Sequence, residues 1–339
     1  MEAMKVMAAN KIKRTENALS QTKDASSGIA ALVPGIDPIQ LLLRSGETLP
    51  TYLKPFSLED APKDKTRHVL LVLMGADKGL CGSFHTQFCK TIRTMAEDAG
   101  PKTQFHTYVW GGRTAAAVKR ARFSVVKKRH CGRLSPAEKA FQMMQDLDAL
   151  LGPTSAKKKT DAPKSTKEDK NHALPAIDGV LFLTPCFESA LVQTVTPADL
   201  QTHLSKLAPT VKPPMPTPEA SETETESLPN PPKGPRTQKL LAFYTPDDVK
   251  RLFKDMGIVA EPDPLTFLKQ FVRLQAGMFF YQAFVESSLC EESARMTAMD
   301  TAVRNSNDLL DDINLQYNRT RQAMITNELV EIISGANAL

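Results

Sequence analysis

The stretch 289-LCEESARMTAMDTAVRNSNDLLDDINLQYNRTRQAMITNELVEIISGANAL-339 decides the fold. Stepping by seven from its first residue gives Leu289, Met296, Val303, Leu310, Tyr317 and Met324, apolar or aromatic at every step. The intermediate positions, Glu292, Met299, Ser306, Ile313, Thr320 and Asn327, are mixed. A full stripe beside a half-polar one predicts a left-handed coiled coil with an only partly apolar seam. No proline falls between Pro264 and Ser334, and only Gly277 weakens the helix in the body of that run. Seventy helical residues reach roughly 105 Å, more than a compact domain of this size can cover, so the helix must project.

The seam needs a partner along its length. Residues 1–33 carry Met4, Ala8, Ile12, Leu19 and Ile29 on a loosely helical spacing closed by Pro34-Gly35, an equally thin stripe. These two terminal segments, 1–33 and 261–339, are expected to pair as shaft helices.

Between them lies a different pattern. His68 to Met74 is a leucine- and valine-rich run bounded by Gly75, the mark of a strand buried on both faces. A helix is expected from Ser83 to Ala99. A second strand, Phe105 to Trp110, ends at Gly111-Gly112 and leads into a helix over Thr114 to Arg120. Ser135-Pro136 opens another helix, to about Leu151, with proline at its first position. A third strand, Gly179 to Leu183, leads into Thr184 to Val195, continuing an alternation of strands and helices. That alternation predicts a small, mostly parallel α/β domain over 68–204.

Two inserts interrupt it. Residues 156–172 hold six lysines and three acidic residues, which reads as a solvated loop. Residues 205–257 include Pro213-Pro214 and the acidic cluster Glu219, Glu222, Glu224 and Glu226, which reads as a Pro-rich, irregular excursion.

Composition excludes several classes. A net charge of +5, from 43 basic and 38 acidic residues, is too small without a concentrated patch to argue for nucleic acid. Five cysteines without CxxC spacing suit reduced thiols better than a disulfide framework. No run of about 18 apolar residues is present, so membrane association is expected only through partners.

Two constellations suggest chemistry and are better read as structure. Gly75-Ala-Asp-Lys-Gly-Leu-Cys-Gly82 links a strand to a helix, as phosphate loops do, but matches neither nucleotide-binding glycine pattern. A glycine turn that packs helix on sheet is the better reading. Cys81, His85 and Cys89 are spaced four apart on one helix face, yet offer at most three metal ligands and no orienting acid for a nucleophile. Half-buried side chains are the better reading, and no catalytic residue, cofactor or metal is assigned.

Several motifs are similar to those of one family. Glu292 to Met299, Tyr317 to Thr326 and Glu328 to Gly335 resemble the C-terminal helix of F-type ATP synthase gamma subunits, particularly alphaproteobacterial and mitochondrial ones. Glu2 to Lys11 resembles that family's N-terminal helix. Asp77 to Gly82 resembles its strand-to-helix turn, Phe187 to Leu191 its third strand exit, and Glu261 to Pro264 the start of its long helix. The matches run in family order, and the two inserts have no counterpart in it. The family pattern also places about five further helical turns ahead of the N-terminal motif.

The resemblance implies a non-catalytic central rotor stalk, one copy per complex, coupling proton flow through the membrane c-ring to ATP synthesis or hydrolysis. Its implied partners are the alpha and beta subunits, an epsilon (or delta) stalk subunit and the c-ring. It implies that Arg321, Gln322 and Thr326 meet a loop of the beta subunits, and that Met4 faces an acidic loop of beta. Ile332, Ile333, Ala336 and Leu339 would form an apolar tip in the alpha-beta bearing, and Glu261 would lie at the foot near the ring. The implied location is peripheral, on the cytoplasmic side of a bacterial plasma membrane or the matrix side of a mitochondrial inner membrane. The alternative from another class is a stand-alone α/β nucleotide-binding enzyme dimerised by its coiled coil.

Overall fold

Val69 to Met74 is buried without a break, which an alternating strand could not be, because helices cover both faces of the sheet it centres. The computed structural model describes residues 2–30, 32, 37–54, 56, 66–151, 175–189, 193–198, 246–255, 257, 259–261 and 263–337. Within them, β1 (Arg67–Met74) is followed by α3 (Phe84–Ala99), β2 (Thr103–Trp110), α4 (Gly112–Arg120), β3 (Ser124–Arg129), α5 (Pro136–Leu151), β4 (Gly179–Phe187) and β5 (Gln193–Ala198). The sheet order is β3-β2-β1-β4-β5. β2 and β4 flank β1 in parallel, β3 joins β2 in parallel, and β5 closes the other edge antiparallel to β4.

The two faces bury different helices. Val69, Leu71 and Leu73 point with Val109 and Leu183 toward α3 and α4, where Phe84, Phe88 and Ile92 complete a core. Leu70, Val72 and Met74 point with Trp110 and Phe182 toward α5 and the long helix α7 (Pro264–Asn337). Aromatic rings fix α7 there: Phe182 lies 5.5 Å from Phe279 and 5.2 Å from Phe280, and Trp110 lies 5.1 Å from Phe284. Gly277 faces α5. A Cβ there would sit 3.3 Å from Met144 Sδ, so the helix-weakening residue permits the packing.

The start of α7 is locally specified. Asp263 accepts a hydrogen bond from Thr266 N at 3.4 Å, and Pro264 occupies the first helical position. α5 begins with a reciprocal capping box. Ser135 Oγ accepts from Glu138 N at 3.3 Å while Glu138 Oε2 accepts from Ser135 N at 2.7 Å. Those bonds lower the Glu138 pKa.

α1 (Glu2–Ala30) runs antiparallel to α7, as the pairs Lys5–Asp300 at 2.5 Å and Lys11–Glu292 at 3.2 Å require. Its buried stripe is Ala8, Ile12, Leu19, Thr22, Ser26 and Ala30, steps of three, four and seven with small or polar members. Ile12 and Leu19 meet Val285 and Leu289. With 29 residues against 74, α1 spans roughly 43 Å of a helix of roughly 111 Å. The mostly parallel α/β domain and the paired terminal helices are therefore both present.

Four features depart from the sequence expectations. The alternation stops after Leu183: the third strand runs on to Phe187, and Gln193 to Ala198 returns as the edge strand β5. Ser124 to Arg129 is a strand that its charged residues disguise. A short helix, α2 (Pro38–Arg44), precedes the sheet, capped by Asp37, whose carboxylate accepts from Ile39 N and Gln40 N. Within the range expected to be irregular, 205–257, Pro246 to Asp255 forms the helix α6, which buries Val249 and Phe253 in the core beside α7. Residues 205–245 and the insert 156–172 lie outside the described residues.

Candidate functional site

Beyond Val303 the surroundings of α7 change. Every residue from Arg304 to Ala336 is exposed, although apolar side chains continue at Leu309, Leu310, Ile313, Leu315, Tyr317, Met324, Ile325, Leu329, Val330, Ile332 and Ile333. At about 100° per residue, Leu310, Ile313, Tyr317 and Met324 form one narrow stripe, the continuation of the seam. Ile325, Leu329, Val330, Ile332 and Ile333 fan over roughly 160° beside it, so that stripe and fan together cover most of the circumference. An exposed apolar surface of this extent marks an interaction site, and a collar fits an enclosing partner better than a single flat one.

The sequence-derived site residues fall at four levels along this shaft. Gln322 and Thr326 share a face one turn apart, where Thr326 Oγ1 donates to Gln322 O at 2.8 Å. Arg321 is turned about 100° from Gln322, toward the stripe of Leu310 and Tyr317. Ile332, Ile333 and Ala336 share the last two turns and are exposed, while Leu339 lies outside the described residues. Met4 is 45% exposed beside the Lys5–Asp300 pair, and Arg321 follows Asp300 by about 32 Å of helix. Glu261 is exposed just before α7 begins, at the opposite end from the tip. The structure thus brings Gln322 to Thr326, keeps Arg321 nearby on another side, and separates Met4 and Glu261 from both.

Where the covered half of α7 meets α1, a polar belt was not foreseen. Arg295 pairs with Glu291 and Glu292 on its own helix, and Lys11 reaches Glu292 from α1. Glu292, the charged member of the intermediate stripe, is only 7% exposed. It is a buried ion pair in the seam, and Glu-Glu three and four residues before Arg was its visible signal. Burial opposes the Arg295 charge, but the two carboxylates outweigh it and raise its pKa.

A second network ties α5 to the sheet. Asp146 accepts from Lys127 Nζ at 2.8 Å, from Arg129 Nε at 2.8 Å and from Tyr108 Oη at 2.5 Å. Burial pushes its carboxyl up, yet the three donors prevail and hold it down to about 2.

The turn Gly75 to Gly82 is occupied by the chain's own side chains. Asp77 accepts from Gly112 N at 2.5 Å and Gly132 N at 2.9 Å, at the start of α4, where an anion would sit. Burial raises its pKa, but those bonds and His130 lower it overall. Ala76 N donates to Thr114 Oγ1 at 3.0 Å, and a Cβ on Gly75 would lie 2.2 Å from that oxygen. The turn is therefore packed as a helix-on-sheet joint. Cys81 and His85 meet at 3.2 Å, but burial pushes the Cys81 thiol up to about 11 and lowers the His85 pKa. A thiol so placed stays protonated at neutral pH and is a poor nucleophile.

What this geometry does well is present a long, rigid, apolar helix half to other proteins. Comparison with known proteins agrees. A family model described as ATP synthase matches residues 1–339. The ATP synthase gamma chain of Nostoc sp. is 26% identical over 340 residues, covering 100% of this chain and 93% of that one. That of Erythrobacter litoralis is 30% identical over 273 residues, covering 80% of this chain and 73% of that one. Among solved structures, the central stalk of the Tetrahymena thermophila mitochondrial ATP synthase has a TM-score of 0.48 and 16% identity, covering 89% of this chain and 98% of that one, and adds no weight at that level. With its whole length matched by the family model and its relatives bearing one name, the chain belongs to the ATP synthase gamma family.

Proposed function

We propose that this chain is the central rotor stalk of an F-type ATP synthase, turning inside an alpha-beta hexamer and coupling proton-driven rotation of a membrane ring to ATP synthesis or hydrolysis. The observation that carries the reading is the bare half of α7, roughly 50 Å of helix whose apolar residues none of the described residues covers. A shaft acts by touching the same partner differently in different states, since only differential contact shifts an equilibrium. Its stripe, off-axis arginine and apolar collar are unequal around the helix, so each angle of rotation offers a neighbouring subunit a different surface.

In this reading Arg321, Gln322 and Thr326 contact the catalytic beta subunits, and Met4, nearer the foot, contacts an acidic loop of beta. Ile332, Ile333, Ala336 and Leu339 seat the tip in its bearing, while Glu261 lies at the foot toward the c-ring, near an epsilon (or delta) subunit. The chain makes and breaks no bond itself. Among the described residues no helix is long and apolar enough to cross a membrane, which suits a peripheral position held through partners. That position is cytoplasmic on a bacterial plasma membrane, or matrix-facing in a mitochondrion.

Co-expression with alpha and beta subunits tests the reading. A complex with one copy of this chain per hexamer is expected, with ATP turnover that depends on it. A stable homodimer that ignores both subunits would overturn it.

A further inference from the structure

Away from the shaft, at the entering ends of β1 and β2, two imidazoles meet across the sheet. His68 Nδ1 and His106 Nε2 lie 3.1 Å apart, with ring centroids 5.3 Å apart and planes at 34°. His106 sits opposite Leu70 in the parallel register, so His68, two residues earlier on β1, projects on the same face. Both rings are half-buried.

We propose that His68 and His106 form a two-imidazole site for a transition-metal dication of the nickel(II) and zinc(II) class. Imidazole nitrogen is a good ligand for these ions. With metal–nitrogen bonds of about 2.1 Å, two cis ligands at an octahedral ion stand about 3.0 Å apart, and two at a tetrahedral ion about 3.4 Å. The observed separation falls between these values, so the strands already hold the nitrogens at a chelating distance, and each ring need only tilt its lone pair toward the shared ion. The nitrogens already face each other, which in the free chain requires one to keep a proton and donate it. Burial first, and the neighbouring His68 second, lower the His106 pKa and favour the neutral form that ligates.

Position supports the same reading. β1 and β2 are both inner strands, so the two ligands are fixed by the ladder rather than carried on a loop. His68 is anchored further by its backbone, whose N–H donates to Asp178 Oδ2 at 2.9 Å. Among the described residues no third His, Cys, Asp or Glu completes a cluster. Water would fill the remaining positions, giving an exchangeable site rather than a closed structural one. An ion held there ties the ends of two strands together and stabilises the folded chain, because the unfolded chain lacks the pair.

Calorimetric titration of the full chain with nickel(II) chloride at neutral pH, alongside thermal melting with and without the ion, provides the test. Nickel(II) serves because thiols do not reduce it, and the chain has five. One equivalent is expected to bind and to raise the melting midpoint. His68→Gln and His106→Gln should each weaken binding by about tenfold or more and abolish the rise. His85→Gln should change neither. In the unsubstituted chain, nickel(II) should broaden the imidazole proton signals of His68 and His106 before those of other histidines, a readout that needs no variant to fold. Binding that survives both substitutions, or that first broadens another histidine, would overturn the proposal.

Discussion

The two halves of α7 carry one apolar period in opposite surroundings. From Pro264 to Val303 the helix buries Leu268, Val272, Ala276, Phe280, Phe284 and Leu289 to 2% exposure or less against the sheet, α5 and α1. From Arg304 to Ala336 it carries as continuous an apolar stripe with every residue exposed. Hydrophobic burial is what normally makes a helix side chain matter to stability. The first half therefore belongs to the folding of this chain, and the second to assembly with other chains.

This contrast orders the expected effects of substitution on the free chain. Phe280→Ala should be largest, removing a ring held between the sheet and α7 and costing about 3–5 kcal/mol; denaturant unfolding measures it, and a loss below about 1 kcal/mol would break the distinction. Arg295→Ala comes next. It leaves buried Glu292 with only Lys11 and half-buried Glu291 without a cation, and a loss of about 3 kcal/mol is expected by the same method.

Acid is a milder probe of the body. Asp146 has its folded pKa depressed to about 2, below the ordinary carboxylate value, so its contribution is fully present above about pH 4 and is lost as pH falls toward 2. The expected loss across that window is about 2 kcal/mol, and Asp146→Asn should flatten the corresponding part of the stability-versus-pH curve. An unchanged curve would separate the Tyr108–Lys127–Arg129 network from stability.

Smallest on this scale are the shaft substitutions. Arg321→Ala and Gln322→Ala should shift unfolding of the free chain by no more than about 0.5 kcal/mol and leave its helicity unchanged. Both should nevertheless reduce assembly or coupled turnover. Normal assembly and turnover in both variants would remove them from the contact surface.

The contrast also explains what was legible in the sequence. The period of Leu289, Met296 and Val303 persists through Leu310, Tyr317 and Met324, so the helix could be read, while the place where its cover ends could not. The register in which α1 lies on α7, marked by Lys5–Asp300 and Lys11–Glu292, is a tertiary fact. Val69 to Met74 was legible because burial on both faces writes a continuous apolar run. Ser124 to Arg129 was not, because Lys127 and Arg129 belong in a strand only once Asp146 of α5 receives them. Val249 and Phe253, four apart, carried the signal for α6 behind a proline-rich segment that masked it. Glu292 looked like a flaw in the seam until Arg295 and Lys11 were in place. Of the proposed shaft contacts, the motif near Arg321 pointed to the residues, and the structure adds that Arg321 and Gln322 face different directions.

Amide hydrogen exchange along α7, in the free chain and in the assembled alpha-beta complex, tests the central claim most directly. Residues 264–303 should be protected in both states, and residues 304–336 only weakly in the free chain but strongly in the complex. Equal protection of the two halves in the free chain, or no gain in the second half on assembly, would contradict it.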